Sequence, residues 1–525
     1  MELKFTYFFG PILVITAFLF FGKGIINRTR GKSFRPLPAF ILLVVALAYR
    51  FLQSRESLVD AYFFIQEENS IFDMLLDRVT LALMDFGIGM TIDSAYLSYK
   101  KHNSKLFWVP GVLALVLSGA VYLFATFIET IGEKIRSTEN RTELLLELGP
   151  DDHIEEVASI LNKYHAVYDR TFPMVDLSED EDLAQYFSVF VDRDYVEPLT
   201  KELSSDRENV DAVSVNQRLV LEKPHVSDNP VGEQRSFLAN DPYMSRQWYA
   251  DALAYNAVHQ LLKDAKPARK AKVAIVDTGV DGKHEDLKTV FKKSRGNKDS
   301  HGHGTHCAGL AGAIANNGKG VGSLNWEGKF IDLSGYPALN GNGWGTDKTV
   351  AMAIIEAAEG GADVISMSLG GPGKAPKVQR DAIEYALKQK AIVVVAAGNS
   401  NRDAKDFSPA SVDGVIVVSA VNQKLHKAPF SNTNTSLKMP IAAPGVDIMS
   451  SIPGSKYQQF SGTSMATPIV SGVIGIMRSF KPGMTTKEAY KMLVDTGKDI
   501  ADSDRVGKLV QPKAIVEQLV PVPAM

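Results

Sequence analysis

Two hydrophobic rhythms divide this chain. In its second half, short and nearly unbroken apolar runs at 273–276, 364–368, 392–396 and 415–419 recur between segments of helical spacing at 348–359 and 377–390. Strands that are apolar on both faces and alternate with helices predict a mostly parallel central sheet with helices on both faces. That α/β domain is expected over 240–525. Its last helices are expected at 467–480 and 486–496, before a tail that wraps the domain. The preceding stretch has a different pattern. Residues 186–191 read as a strand, and 195–207 as an amphipathic helix with Val196, Leu199 and Leu203 on one face. Residues 210–215 read as a second strand by alternation. Together these predict a small α/β unit over 151–224, followed by a turn-rich linker at 225–239.

The first 128 residues predict an α-helical membrane region. Segments 5–22 and 106–128 carry no charge, and 37–52 is apolar apart from Arg50, which can snorkel. Segment 71–92 is apolar in patches but holds Asp73, Asp77, Arg78 and Asp85. Its two readings are an amphipathic or re-entrant helix and a span whose charges face other helices. Basic residues decide between them. Lys23, Arg28, Arg30, Lys32 and Arg35 mark one cytoplasmic loop, and Lys100, Lys101 and Lys105 a second. Both loops lie on one side only if all four segments cross. The expectation is therefore a multi-pass integral membrane protein with the lipid bilayer as a partner. A charged stalk helix at 129–150 would leave the bilayer, and the second half of the chain would lie on the extracytoplasmic side.

Composition adds little to this. The chain is 45% hydrophobic and 22% charged, and its net charge of −3 at pH 7 gives no sign of a nucleic-acid partner. The single cysteine, Cys307, excludes an intrachain disulfide.

Candidate chemistry lies in four segments of the second half. Gly462-Thr463-Ser464 places a serine on a tight turn before an apolar helical run. A nucleophile there sits at the positive end of a helix dipole. Taken alone, the same residues are a good helix cap. A serine hydroxyl needs a base, and the base needs a group to orient it. Asp277 ends the apolar strand 272–277, and His303 opens a small-residue helix. Asn399 follows a buried strand onto a loop, where its amide can donate to a developing oxyanion. The His301, His303 and His306 run also has the spacing of a metal cluster, with no obvious fourth ligand.

The order Asp, His, Ser, together with His303-Gly304-Thr305-His306-Cys307-Ala308-Gly309, resembles the subtilisin-like serine peptidases, their thermitase and proteinase K branches above all. The likeness covers residues 240–515, including Asn240-Asp241-Pro242 and Ser366-Met367-Ser368-Leu369-Gly370-Gly371. It implies a subtilisin-like fold and a serine endopeptidase acting on protein or peptide substrates through an acyl-enzyme. Asp277, His303 and Ser464 would form the catalytic triad, and Asn399 would hold the oxyanion. Substrate would pair with Ser368, Leu369 and Gly370 on one side and Gly343 on the other. Trp344 would either favour an apolar residue there or simply pack. Cys307 would pack under the histidine. The likeness also implies a structural Ca²⁺ held by Asp241, Asp286 and Asn317 with the carbonyls of Ile314, Lys319 and Val321. The alternative is an ordinary turn-rich loop.

In the same family the unit before the catalytic domain is often a propeptide. By that resemblance of shape, 151–224 would be a propeptide-like domain whose tail lies in the active site as a product-like strand. Self-cleavage would fall within 222–238. Two other readings stand beside this one. The chain would be a membrane sensor or scaffold whose peptidase fold only binds peptides, or a processing enzyme dedicated to one client.

Overall fold

The computed structural model describes residues 141–221, 225–227, 236–292 and 298–520. Among these residues no helix is long and apolar enough to cross a membrane. This corrects the expected multi-pass, extracytoplasmic placement and the bilayer partner that went with it. The four candidate spans at 5–22, 37–52, 71–92 and 106–128 lie outside the described residues.

The described chain opens with a small antiparallel sheet. Its strands are β1 (Arg141–Leu148), β2 (Val167–Arg170), β3 (Tyr186–Asp192) and β4 (Val210–Val215), in the order β2-β3-β1-β4. Helices α1 (Ala158–Lys163) and α2 (Val196–Ser205) cover one face. The expected stalk helix is thus corrected over 141–148, where the chain is a central strand. The reason lies in alternation. Leu144, Leu146 and Leu148 point into the module's own core with Leu199 and Leu203 from α2. Glu143, Leu145 and Glu147 point the other way, so a run that looks charged and helical is a strand with two buried faces.

After the module the chain runs through β5 (Arg218–Val220) and β6 (His225–Ser227) into the larger domain. Its sheet contains β7 (Ala271–Asp277), β8 (Ile331–Pro337), β10 (Val364–Met367), β11 (Ile392–Ala396), β12 (Ile416–Val421) and β13 (Pro440–Pro444). β9 (Trp344–Thr346) stands outside this sheet. The six strands run in the order β8-β7-β10-β11-β12-β13, and every pair is parallel. Successive residues serve opposite faces. Val273, Ile275, Val364, Ile392 and Val394 pack on one side, against α3 (His303–Gly312) and the long helix α6 (Thr463–Phe480). Ala274, Val276, Ile365, Val393 and Val395 pack on the other, against α4 (Asp347–Glu359) and α5 (Lys377–Lys388). Because both faces are covered, the strand sequences are continuously apolar rather than alternating. A further helix, α7 (Thr486–Thr496), begins with a capping box in which Thr485 and Glu488 exchange hydrogen bonds. A hairpin of β14 (Ile448–Ile452) and β15 (Lys456–Ser461) precedes α6.

The module does not hang free. Its second face joins the core under α4 and α5, where Leu145, Phe172, Leu183 and Tyr186 pack with Val350, Ile354 and Ile383.

Candidate active site

The parallel strands set the site. β7 ends at Asp277, β10 runs into Ser368, and β11 runs into Asn399, so all three residues gather at the carboxyl ends of the sheet. His303 and Ser464 lie in the first turns of α3 and α6. Two close approaches let these helices reach the strand ends. A β-carbon on Gly304 would overlap the carbonyl oxygen of Gly279, and one on Gly472 would stand 2.6 Å from the carbonyl oxygen of Ala311. Only glycine permits either contact.

Asp277 and His303 are fully buried, and Nδ1 of His303 lies 2.7 and 2.9 Å from the two Asp277 oxygens. This contact places the Nδ1 proton toward Asp277 and leaves Nε2 buried without a hydrogen-bond partner. Burial opposes protonation of the ring, but the Asp277 charge outweighs it and holds the His303 pKa well above the ordinary value. Ser464 Oγ donates to the Ser368 carbonyl at 3.2 Å, and Ser368 Oγ donates back to the Ser464 carbonyl at 2.8 Å. In this resting arrangement the serine hydroxyl is parked on Ser368 rather than on the histidine. Catalytic hydrogen bonds commonly tighten only when substrate is bound.

Two N–H donors converge beside the serine. Asn399 Oδ1 accepts from the backbone and hydroxyl of Thr463 at 2.8 and 2.9 Å. That fixes the amide with its Nδ2 donors toward the cleft. Nδ2 of Asn399 and the backbone nitrogen of Ser464 each lie 3.6 Å from the point where a β-carbon on Gly462 would stand. Gly462 therefore leaves open the space on which both donors converge.

Asp299 is a residue that motif reading missed. Its oxygens accept from Thr278 Oγ1, the backbone of His301, Gly302 and Thr305, and the Thr305 hydroxyl, all at 2.7–3.0 Å. Thr278 Oγ1 in turn accepts from the Gly304 backbone at 3.0 Å. This buckle ties the end of β7 to the start of α3. A carboxylate just ahead of a helix was the available signal. Thr463, which fixes the Asn399 amide, was also missed, although it is part of the serine motif itself.

The histidine run is not a metal cluster. His306 Nε2 contacts the carbonyls of Ile448 and Gln458, its ring stacks on Phe460, and burial pushes its pKa down to about 3. Cys307 is buried, 3.9 Å from His303 Nδ1 and 3.4 Å from the Ser464 carbonyl oxygen.

The loop expected to bind a cation brings Asp241, Asp286 and Asn317 together. Asp241 accepts from the backbones of Asn316 and Asn317 at 2.7 and 3.0 Å. Asp286 accepts from Asn317 Nδ2, the Val321 backbone and the Tyr457 hydroxyl at 2.8–3.0 Å. Burial raises the pKa of both carboxyls, and the Asp286 charge raises that of Asp241 further. Two buried acids that disfavour each other's charge, beside an amide and a carbonyl-rich loop, fit a hard cation. Asn317 instead turns its NH₂ to Asp286, while its Oδ1 accepts from the Lys319 backbone at 2.7 Å.

The groove beside Ser464 holds part of the chain itself. β5 pairs antiparallel with β9, and the Leu221 backbone donates to the Gly343 carbonyl at 2.8 Å. Leu221 is buried in a cavity that it lines with Ser368, Leu369, Gly370, Asn399 and Ser464. β6 pairs antiparallel with β15, the strand that leads into the Ser464 turn, with His225 opposite Ser461.

A buried Asp–His pair, a serine at a helix N-terminus and a doubly covered parallel sheet fit the class of serine peptidases. Comparison with known proteins narrows it. The model of the subtilase family matches residues 268–509. Thermitase of Thermoactinomyces vulgaris is 38% identical over 250 residues, which is 46% of this chain and 86% of the relative. Subtilisin DY of Bacillus licheniformis is 35% identical over 245 residues, 45% of this chain and 87% of the relative. A thermophilic serine proteinase of Bacillus sp. (strain AK1) is 36% identical over 267 residues, 48% of this chain and 65% of the relative. The chain belongs to the subtilase family and is a subtilisin-like serine endopeptidase.

Proposed function

We propose that this peptidase is made as a precursor whose own module blocks and then leaves the catalytic groove. In the chemical step, Ser464 Oγ swings from Ser368 to His303 and gives its proton to Nε2 as it attacks the peptide carbonyl. Asp277 keeps the ring oriented and stabilises the imidazolium. Asn399 Nδ2 and the Ser464 backbone N–H stabilise the oxyanion. The imidazolium then protonates the departing amine, leaving an acyl ester on Ser464. Water adds to that ester with His303 again acting as base. The observation that carries this reading is the buried Asp277–His303 pair, whose other ring nitrogen has no hydrogen-bond partner. A fluorophosphonate probe tests it. Labelling of the parent and none of Ser464→Ala is expected, whereas an unlabelled parent removes the reading.

The domain proposal follows the pairing of the strands. Residues 141–221 form the propeptide-like module, 225–239 a linker, and 240–525 the peptidase domain. β5 and β6 bracket Ser464 in extended pairing with β9 and β15, as a substrate lies across a cleft. Self-cleavage is assigned to the linker region 222–238. Ser368, Leu369 and Gly370 form one wall of the peptide groove and Gly343 the other. Asp241, Asp286 and Asn317, with the carbonyls of Ile314, Lys319 and Val321, would hold a structural Ca²⁺ that tightens the loop without entering the reaction.

A further inference from the structure

Residues 218–221 lie along the groove that the reading above assigns to peptide, and their side chains show two rows. In an antiparallel pair, residues directly opposite share a face, and diagonal neighbours two positions on share it too. Leu219 lies opposite Gly345, Val220 opposite Trp344, and Arg218 opposite Thr346. Leu219 is half-buried and Leu221 buried, while Arg218 and Val220 are exposed. Trp344 therefore faces the outward row, with Val220 directly across from it and Arg218 on the diagonal. The Arg218 guanidinium carbon lies 3.3 Å from the centroid of the Trp344 ring. Arg218 makes no ion pair among the described residues. The flat face of the indole is its recorded side-chain contact. A guanidinium is planar and weakly hydrated, so an exposed aromatic face holds it better than it holds an ammonium.

We propose that the Trp344 ring is a binding site for the guanidinium of an arginine in any peptide bound along β9, three residues before the side chain that enters the cavity beside Ser464. This rests on the reading of that groove as the peptide-binding one. It replaces the expectation that Trp344 selects an apolar residue. The class of ligand is an extended segment of the form Arg-x-x-Leu, of which residues 218–221 are the built-in copy. Between the two anchors Leu219 lies opposite Gly345 and packs against the core, and Val220 stands in the exposed row.

Two measurements test this. In the first, active protein obtained from the full chain is given peptides that differ only in carrying Arg, Lys, Ala or Glu at that position. The expected order is Arg above Lys above Ala above Glu, with kcat/KM for Arg about two- to five-fold above Ala. Trp344→Leu should bring the Arg-to-Ala ratio to about one, and Trp344→Phe should leave part of it. The ratio is the readout, whatever the variants do to absolute rates. A parent without the preference, or a ratio that survives Trp344→Leu, overturns the proposal. Labelling of the same preparation by a fluorophosphonate separates this failure from failure of the catalytic reading. The second measurement needs no turnover. In the full chain carrying Ser464→Ala, hydrogen exchange at the Leu221 amide should speed up on Arg218→Ala and on Trp344→Leu. Combining the two changes should add nothing further, and Arg218→Lys should fall between. Unchanged exchange in Arg218→Ala also overturns the proposal.

Discussion

The larger domain and the small module each bury a carboxylate, and they satisfy it in opposite ways. Asp277 has both oxygens against one histidine nitrogen, and one of them also accepts from the Thr278 backbone at 2.7 Å. Its side-chain partners all belong to the larger domain. Glu147 is fully buried on the face of β1 that meets α5. One of its oxygens contacts the Lys377 ammonium, and the other has no hydrogen-bond partner. Asp381 shares that lysine at 3.2 Å and also accepts from the Tyr186 hydroxyl at 2.6 Å. Burial outweighs the lysine and pushes the Glu147 pKa up to about 7. The first arrangement suits a group that must stay fixed through every turnover. The second suits a contact that is conditional. Lys348 with Glu143, and Lys388 with Asp180, repeat the pattern of module acid on domain lysine, both at 2.8 Å. A half-satisfied buried acid adds less to stability than its contacts imply, because it keeps much of its desolvation cost.

The largest test of this contrast is Asp277→Asn. It should keep the fold and lower kcat by about 10⁴, the size seen when the same change is made in an unrelated serine protease. Steady-state kinetics on a peptide substrate checks it, and a loss under ten-fold would remove Asp277 from its orienting role. Asn399→Ala should cost about 10²–10³ in kcat with little change in KM. That magnitude was measured on subtilisin and is carried over from a relative. A change confined to KM would make Asn399 a substrate contact instead of an oxyanion donor.

The module side predicts a pH dependence. A carboxyl whose pKa is raised from 4.5 to about 7 on docking binds an extra proton in the docked state. Its contribution is therefore fully present below the ordinary pKa and is lost as pH rises through about 7. Docking should weaken toward alkaline pH by up to about 1.4 kcal/mol per pH unit within that window. Glu147→Gln should flatten the dependence. Protease sensitivity of the β5–β6 segment in the Ser464→Ala chain, followed from pH 5.5 to 8.5 in roughly half-unit steps, reads it out. A parent that is equally protected across the range contradicts the conditional role. The smallest effect belongs to the cation loop. EGTA should lower the melting temperature by several degrees, each 1 kcal/mol of lost binding being worth about 2–4 °C in a domain of this size. An unchanged melting temperature in calorimetry would leave Asp241 and Asp286 as a purely hydrogen-bonded turn.

The two regions also differ in how far the sequence revealed them. The parallel sheet was legible because strands covered on both faces are apolar at every position, as in Ile392–Ala396. The positions of Asp277, His303, Asn399 and Ser464 followed from strand and helix ends. β8 and β13 were not foreseen. Each lies at an edge of the sheet; β8 alternates buried apolar with polar residues, and β13 is short and bounded by prolines. In the module, β1 was misread as helix because its alternate residues serve two different cores, so charge and leucine appear mixed without a clear period. The pairing of β5 with β9 was legible only as a shape-based expectation. Leu219, Leu221 and Trp344 reveal their roles only when the strands are side by side. The parked hydroxyl of Ser464 and the buckle at Asp299 depend on contacts between elements distant in sequence, and local pattern carries no record of them.

On the reading proposed above, Ser464 acts first on its own chain. Intact mass and N-terminal sequence of the full chain, compared with those of Ser464→Ala prepared in parallel, test this most directly. The account predicts that the parent yields a new N-terminus within 222–238 and that Ser464→Ala stays at full length. If both remain intact, or both are cut at the same bond, Ser464 does not process its own chain.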